Sequence, residues 1–133
     1  MPEDVPGEDD PAFRVLAYGL VLILSVQLAV WGAFLVPFRI GATIVPLCWV
    51  VAVVGNAVLG YAGGRVAGPR GAAFPGLGWR LITFPLGMKR AAGDLVVTGT
   101  LTGSAFLLLG ALASATAYGV VQVRTLRARA ART

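Results

Sequence analysis

Four long apolar runs, separated by short segments that hold most of the basic residues, set the pattern of this chain. Residues 15–36 carry no charge between Arg14 and Arg39, residues 40–64 none before Arg65, and residues 95–123 none before Arg124, while residues 71–88 carry a single charge, Arg80. A helix rises about 1.5 Å per residue and the hydrocarbon core of a bilayer is about 30 Å thick, so each run is long enough to cross. The pattern predicts an all-α polytopic membrane protein, an antiparallel four-helix transmembrane bundle with spans at about 15–36, 40–64, 71–88 and 95–118. Pro37-Phe38-Arg39-Ile40-Gly41 and Gly68-Pro69 supply the first two breaks, and Asp94 is placed to cap the fourth helix by accepting from its first free N–H groups. Residues 1–13, with Glu3, Asp4, Glu8, Asp9 and Asp10 among four prolines or glycines by Pro11, read as a disordered acidic tail. Residues 124–133 read as a basic tail that extends the last helix.

The third run is the doubtful one, because Arg80 lies near its middle with Pro75, Gly76, Gly78, Pro85 and Gly87 around it. Loop charge argues for a crossing. With four spans and the N-terminus inside, Arg14, Arg65, Arg70, Arg124, Arg127, Arg129 and Arg132 are cytoplasmic, and Arg39, Lys89 and Arg90 are outside. That bias obeys the positive-inside rule, whereas omitting the crossing would divide the basic residues almost evenly. The expected location is the plasma membrane, with both termini cytoplasmic.

Composition agrees and removes alternatives. Of the 133 residues 57% are hydrophobic and 13% charged, outside the range of ordinary soluble domains. A net charge of +5 raises the question of nucleic acid, but the basic residues form no patch interleaved with stacking aromatics, so no nucleic-acid partner is expected. Histidine is absent and Cys48 is alone, which excludes a disulfide or a Cys/His metal site within one chain. No nucleophile with a base, phosphate-binding glycine loop or carboxylate pair is present, so neither enzyme activity nor a cofactor is expected.

Depth, estimated from the ends of each run, brings Gln27, Asn56, Arg80 and Ser104 to mid-membrane as a candidate polar layer. Ala73, Gly76, Thr83 and Gly87 share the Arg80 face by helical spacing, and that small, weakly polar face is expected to turn into the bundle. The layer reads either as a structural feature, with Arg80 reaching toward the interface, or as a positive site for an anion or headgroup. Small residues at Gly60 and Gly64, and at Gly99, Gly103, Gly110 and Ser114, form two seams suited to close helix packing. The only acidic residue after Asp10 is Asp94, about half a membrane from Arg80, so no carboxylate of this chain neutralises that charge.

Through Pro37-Phe-Arg-Ile-Gly41, Gly55-Asn56, Pro75-Gly-x-Gly-Trp79 and Arg90-Ala-Ala-Gly-Asp94-Leu-Val, the chain resembles small uncharacterised four-span integral membrane proteins of actinobacteria. The resemblance implies a four-helix membrane fold and carries no activity, substrate or site residue. Small multidrug exporters differ, since they need a glutamate in the first helix, and Ile82-Thr83-Phe84-Pro85 only faintly echoes the broken third helix of dimeric fluoride channels. The reading that follows is a noncatalytic accessory or structural subunit of a membrane assembly, joined through its glycine seams to a second copy or another membrane protein, its C-terminal tail on anionic lipid. The alternative is a small dimeric transporter or channel with a polar pathway around Arg80.

Overall fold

The computed structural model describes residues 10–87 and 101–132. They form helix α1 (Pro11–Phe34), a two-stranded antiparallel hairpin of β1 (Arg39–Ile40) and β2 (Thr43–Ile44), the short helix α2 (Leu47–Val50) continuing through a π-helical turn (Val51–Gly55) into α3 (Asn56–Gly87), and α4 (Leu101–Ala130). Three helical stretches, Pro11–Phe34, Leu47–Leu86 and Leu101–Ala130, are long and apolar enough to cross a membrane. The protein is therefore an all-helical chain of membrane type.

Each boundary has a local cause. α1 starts at Pro11, ahead of the expected residue 15, because the Asp10 carboxylate accepts from the Ala12 N–H at 2.9 Å and Pro11 occupies the first helical position, where its missing N–H is no loss. The hairpin turns over Gly41-Ala42, with Ile40 paired to Thr43 and Gly41 at φ +61°, the conformation a two-residue hairpin loop demands of its first position. Residues 40–46 are thus excluded from the second helix, which begins only after Pro46.

The 40-residue central stretch is not straight. Ala67 (φ −128°, ψ 18°) and Gly68 (φ 67°, ψ −164°) leave helical geometry, and the Gly68 values fall in a region that only glycine occupies freely. Beyond this break the chain doubles back: a Cβ on Gly63 would lie 2.5 Å from the Gly71 carbonyl oxygen, and one on Gly71 would collide with the Gly63 carbonyl. Pro75, four residues on from Gly71, has no N–H to give the Gly71 carbonyl.

The arm before the break and the arm after it both pack on α1 and α4. Gly55 receives Leu28, Gly78 fits against Ser25 and Leu22, and a Cβ at Gly60 or Gly64 would meet Ala117 or Val121. Gly110 lies under the indole of Trp79, which donates to the Leu107 carbonyl at 3.4 Å and packs tilted on Phe106 with ring centroids 4.8 Å apart. With Ala29, Ala33, Val36, Cys48 and Ala52, these two aromatics form the core.

The glycine seams therefore pack the chain's own helices. Gly60, Gly64, Gly103, Gly110 and Ser114 are inward or part-buried in the fold. They are helix-packing positions, as their spacing suggests, and the partners they meet here are side chains of this same chain. Gly99 and the Asp94 cap lie outside the described residues.

Candidate functional site

Among the described residues four buried positions are polar: Ser25, Asn56, Thr83 and Ser114, of which Ser25 and Asn56 are fully enclosed. Asn56 follows the π-helical turn directly and donates from Nδ2 to the Ala52 carbonyl within that turn, at 2.8 Å. Its Oδ1 accepts from the Ser114 hydroxyl at 3.0 Å, and the same hydroxyl lies 2.9 Å from the Gly110 carbonyl. Ser25 donates to the Val21 carbonyl at 2.6 Å. Each of these side chains has a partner, and the Asn56–Ser114 bond joins α3 to α4.

The four residues expected to share one layer are separated. Asn56 is in the interior, whereas Gln27, Arg80 and Ser104 are exposed on the outside of the bundle. On α1 the buried residues Ala17, Val21, Ser25, Ala29, Gly32 and Ala33 form one stripe, and Gln27 lies on the opposite one, with Leu20, Ile23, Leu24, Trp31 and Phe34. On α3 the inward positions include Ala72, Pro75, Trp79 and Thr83, and Arg80 falls on the outward line of Leu77, Leu81 and Phe84.

The expected inward turn of the Arg80 face is corrected by this phase. Adjacent residues on a helix are about 100° apart, and with Gly78 and Trp79 both buried Arg80 is carried a further step round to the exposed side. Trp79, 1% exposed, takes the interior because an indole gains from burial and has the Leu107 carbonyl for its N–H. A guanidinium there would find no carboxylate. Thr83, which was expected on the Arg80 side, turns inward with Trp79 and donates to its carbonyl at 2.7 Å.

Arg80 consequently sits on a lipid-type surface of leucine and phenylalanine. It lies 11 residues beyond Pro69, where helical geometry resumes, or about 16 Å along the axis at about 1.5 Å per residue. That is about half the thickness of a hydrocarbon core. Asp10 is the only acidic residue among those described, and it is at the other end of α1, engaged as a helix cap.

Ser114 was expected as a packing position but not as a hydrogen-bond partner of Asn56, and Ser25 and the core role of Trp79 were not expected at all. Their signal was present in spacing alone: Ser25 continues the Ala17, Val21 and Ala29 stripe, and Ser114 follows Gly110 by one turn. A further polar cluster, absent from the expected set, lies at the end of the fold where α1 begins, α3 breaks and α4 leaves, with Arg14, Arg65, Arg70 and Arg129 around a cleft. Comparison with protein-family models, with curated proteins and with solved structures gives no match for this chain.

Proposed function

We propose that this protein is a noncatalytic subunit of a plasma-membrane assembly, crossing the bilayer four times and held to a different membrane protein through the outward face that carries Arg80. The fold-back at Ala67 and Gly68 supports four crossings. Straight, 40 residues would span about 60 Å, twice a hydrocarbon core; reversed at the break, each arm is close to one thickness. The start of α1, the break in α3 and the end of α4 share one cleft with Arg14, Arg65, Arg70 and Arg129, which supports a cytoplasmic side there by the positive-inside rule.

The observation that carries the reading is the exposure of Arg80 halfway along an apolar helix face. A charge at that depth is unfavourable by about 2.5–3.5 kcal/mol on insertion scales and is found where a partner compensates it. A second copy cannot do so: every acidic residue of the chain lies at positions 3–10 or at 94, none within the apolar runs. The compensating carboxylate therefore belongs to another protein. A transport pathway around Arg80 within one chain is disfavoured, because Trp79, Phe106, Asn56 and Pro75 fill the interior at this level.

The test is copurification after mild solubilisation of native membranes. Wild type retains a partner whose spanning segment contains an aspartate or glutamate, and Arg80→Leu loses it while keeping its own folded size. Equal recovery with both chains removes the proposal.

A further inference from the structure

Basic groups from separate parts of the chain gather around one cleft of about 870 Å³: Arg65 and Arg70, on either side of the break in α3, and Arg129, from the last turn of α4. Arg14, in the first turns of α1, also lines it and is already engaged. Among the described residues the lining includes no carboxylate. One wall is fixed: the Tyr18 ring stacks on Phe74 at 4.8 Å and 14°, and its hydroxyl donates to the Ala67 carbonyl at 3.3 Å. Like charges collected around a concavity sum to a positive potential that draws an anionic occupant.

The chain carries such an occupant itself. Glu3, Asp4, Glu8 and Asp9 fall within the nine residues that precede Asp10, so their charge complements that of the cleft. The segment is also joined to the fold at the right place, because Asp10 caps α1 and Arg14, one turn further on, lines the cleft. Extended, nine residues reach about 30 Å, which brings the cleft within range. Asp94 is out of range: it precedes Leu101 by seven residues, or about 25 Å of extended chain, whereas α4 runs about 40 Å from Leu101 to Arg129. So short a tether makes the encounter intramolecular, at an effective concentration in the millimolar range.

We propose that residues 1–9 dock in this cleft as an internal acidic ligand, their carboxylates on Arg65, Arg70 and Arg129, and hold it against the anionic headgroups of the surrounding membrane. The contact is autoinhibitory, since guanidinium forks match carboxylate and phosphate oxygens alike and the segment competes with lipid for the same groups. It uses no property of Arg80, so this proposal and the preceding one fail separately.

Disulfide trapping in the full chain tests it, in vesicles of mixed phosphatidylcholine and phosphatidylglycerol. In a Cys48→Ser background, Gly7→Cys is paired either with Val66→Cys, which lines the cleft, or with Val123→Cys, which is similarly exposed and lies outside it. The intramolecular product joining positions 7 and 66 is expected at least about fivefold over that joining 7 and 123, the scale of several exposed charge pairs acting together. The preference is expected to fall to about twofold or less in Arg65→Gln/Arg70→Gln, in the tail variant Glu3→Gln/Asp4→Asn/Glu8→Gln/Asp9→Asn, and at about 1 M salt, where the screening length is about 3 Å. The tail variant leaves every residue of the cleft in place, so it decides the matter if the arginine variant does not fold. Equal trapping at the two positions, a preference that survives neutralisation of the tail, or a product that links two chains would each overturn the proposal. A preference seen in phosphatidylcholine alone and lost when phosphatidylglycerol is present would overturn it as well, by making a lipid headgroup the occupant.

Discussion

Gly71→Ala probes the fold-back on which the arrangement of the chain depends. The new methyl group would fall on the Gly63 carbonyl, and because that obstacle is backbone, no rotamer change relieves it. The two arms of α3 must separate, loosening the neighbouring contact between Gly60 and Ala117 as well. Overpacking of this type destabilises by about 1–3 kcal/mol, and rigid backbone on both sides argues for the upper part of that range. At about 2 kcal/mol the folding equilibrium falls by roughly 30-fold, since about 1.4 kcal/mol is tenfold. Two controls fix the interpretation. Gly64→Ala meets only the Val121 side chain, which can rotate, so its effect should be smaller; Gly119→Ala meets nothing within 4 Å and should stabilise by about 0.5–1 kcal/mol through helix propensity. Equilibrium unfolding of purified protein in mixed micelles ranks the three. If Gly71→Ala unfolds no earlier than Gly119→Ala, the two arms are not in contact and the reversal at Gly68 is wrong.

Other consequences are open to measurement. Gly68→Ala forces a side chain into a glycine-only conformation and should destabilise by about 1–3 kcal/mol in the same unfolding assay, with no effect expected if the break were an ordinary helical turn. A double-mutant cycle on Asn56→Leu and Ser114→Ala should give a coupling of about 0.6 kcal/mol, typical of hydrogen bonds between membrane helices, and zero coupling would separate the two side chains. Cys48 is fully enclosed and should resist an impermeant maleimide, so in a Cys48→Ser background Ala42→Cys and Ala131→Cys report topology: four crossings label them from opposite sides of the membrane, three from the same side.

What could be read from the residues divides along physical lines. Long apolar helices and the Gly68-Pro69 break follow from hydropathy and backbone chemistry, and both occur among the described residues. The start of the second helix did not follow, because Ile40 to Val45 is apolar in either conformation and hydropathy does not distinguish strand from helix. The rotation of the third helix was also hidden. Small residues at Gly76 and Thr83 marked a packing face near Arg80, but the side chain that decides the phase is Trp79, through a pocket at Gly110 that exists only in three dimensions. Spacing likewise marked Gly60, Gly64 and Gly110 as packing positions without saying what they pack against. The arginine cleft is the most remote from sequence, since Arg14, Arg65, Arg70 and Arg129 are brought together by tertiary structure.

The central claim is that the Arg80 face meets another membrane protein, and site-directed photocrosslinking in native membranes reads it directly. Probes at Leu77 and Leu81, which flank Arg80 on the exposed line of α3, are compared with probes at Leu108 and Leu112, exposed on α4. The account predicts a discrete protein adduct from the first pair alone, abolished by Arg80→Leu and by neutralising the partner's intramembrane carboxylate. Adducts with lipid only, or the same protein adducts from both pairs irrespective of Arg80, would contradict it.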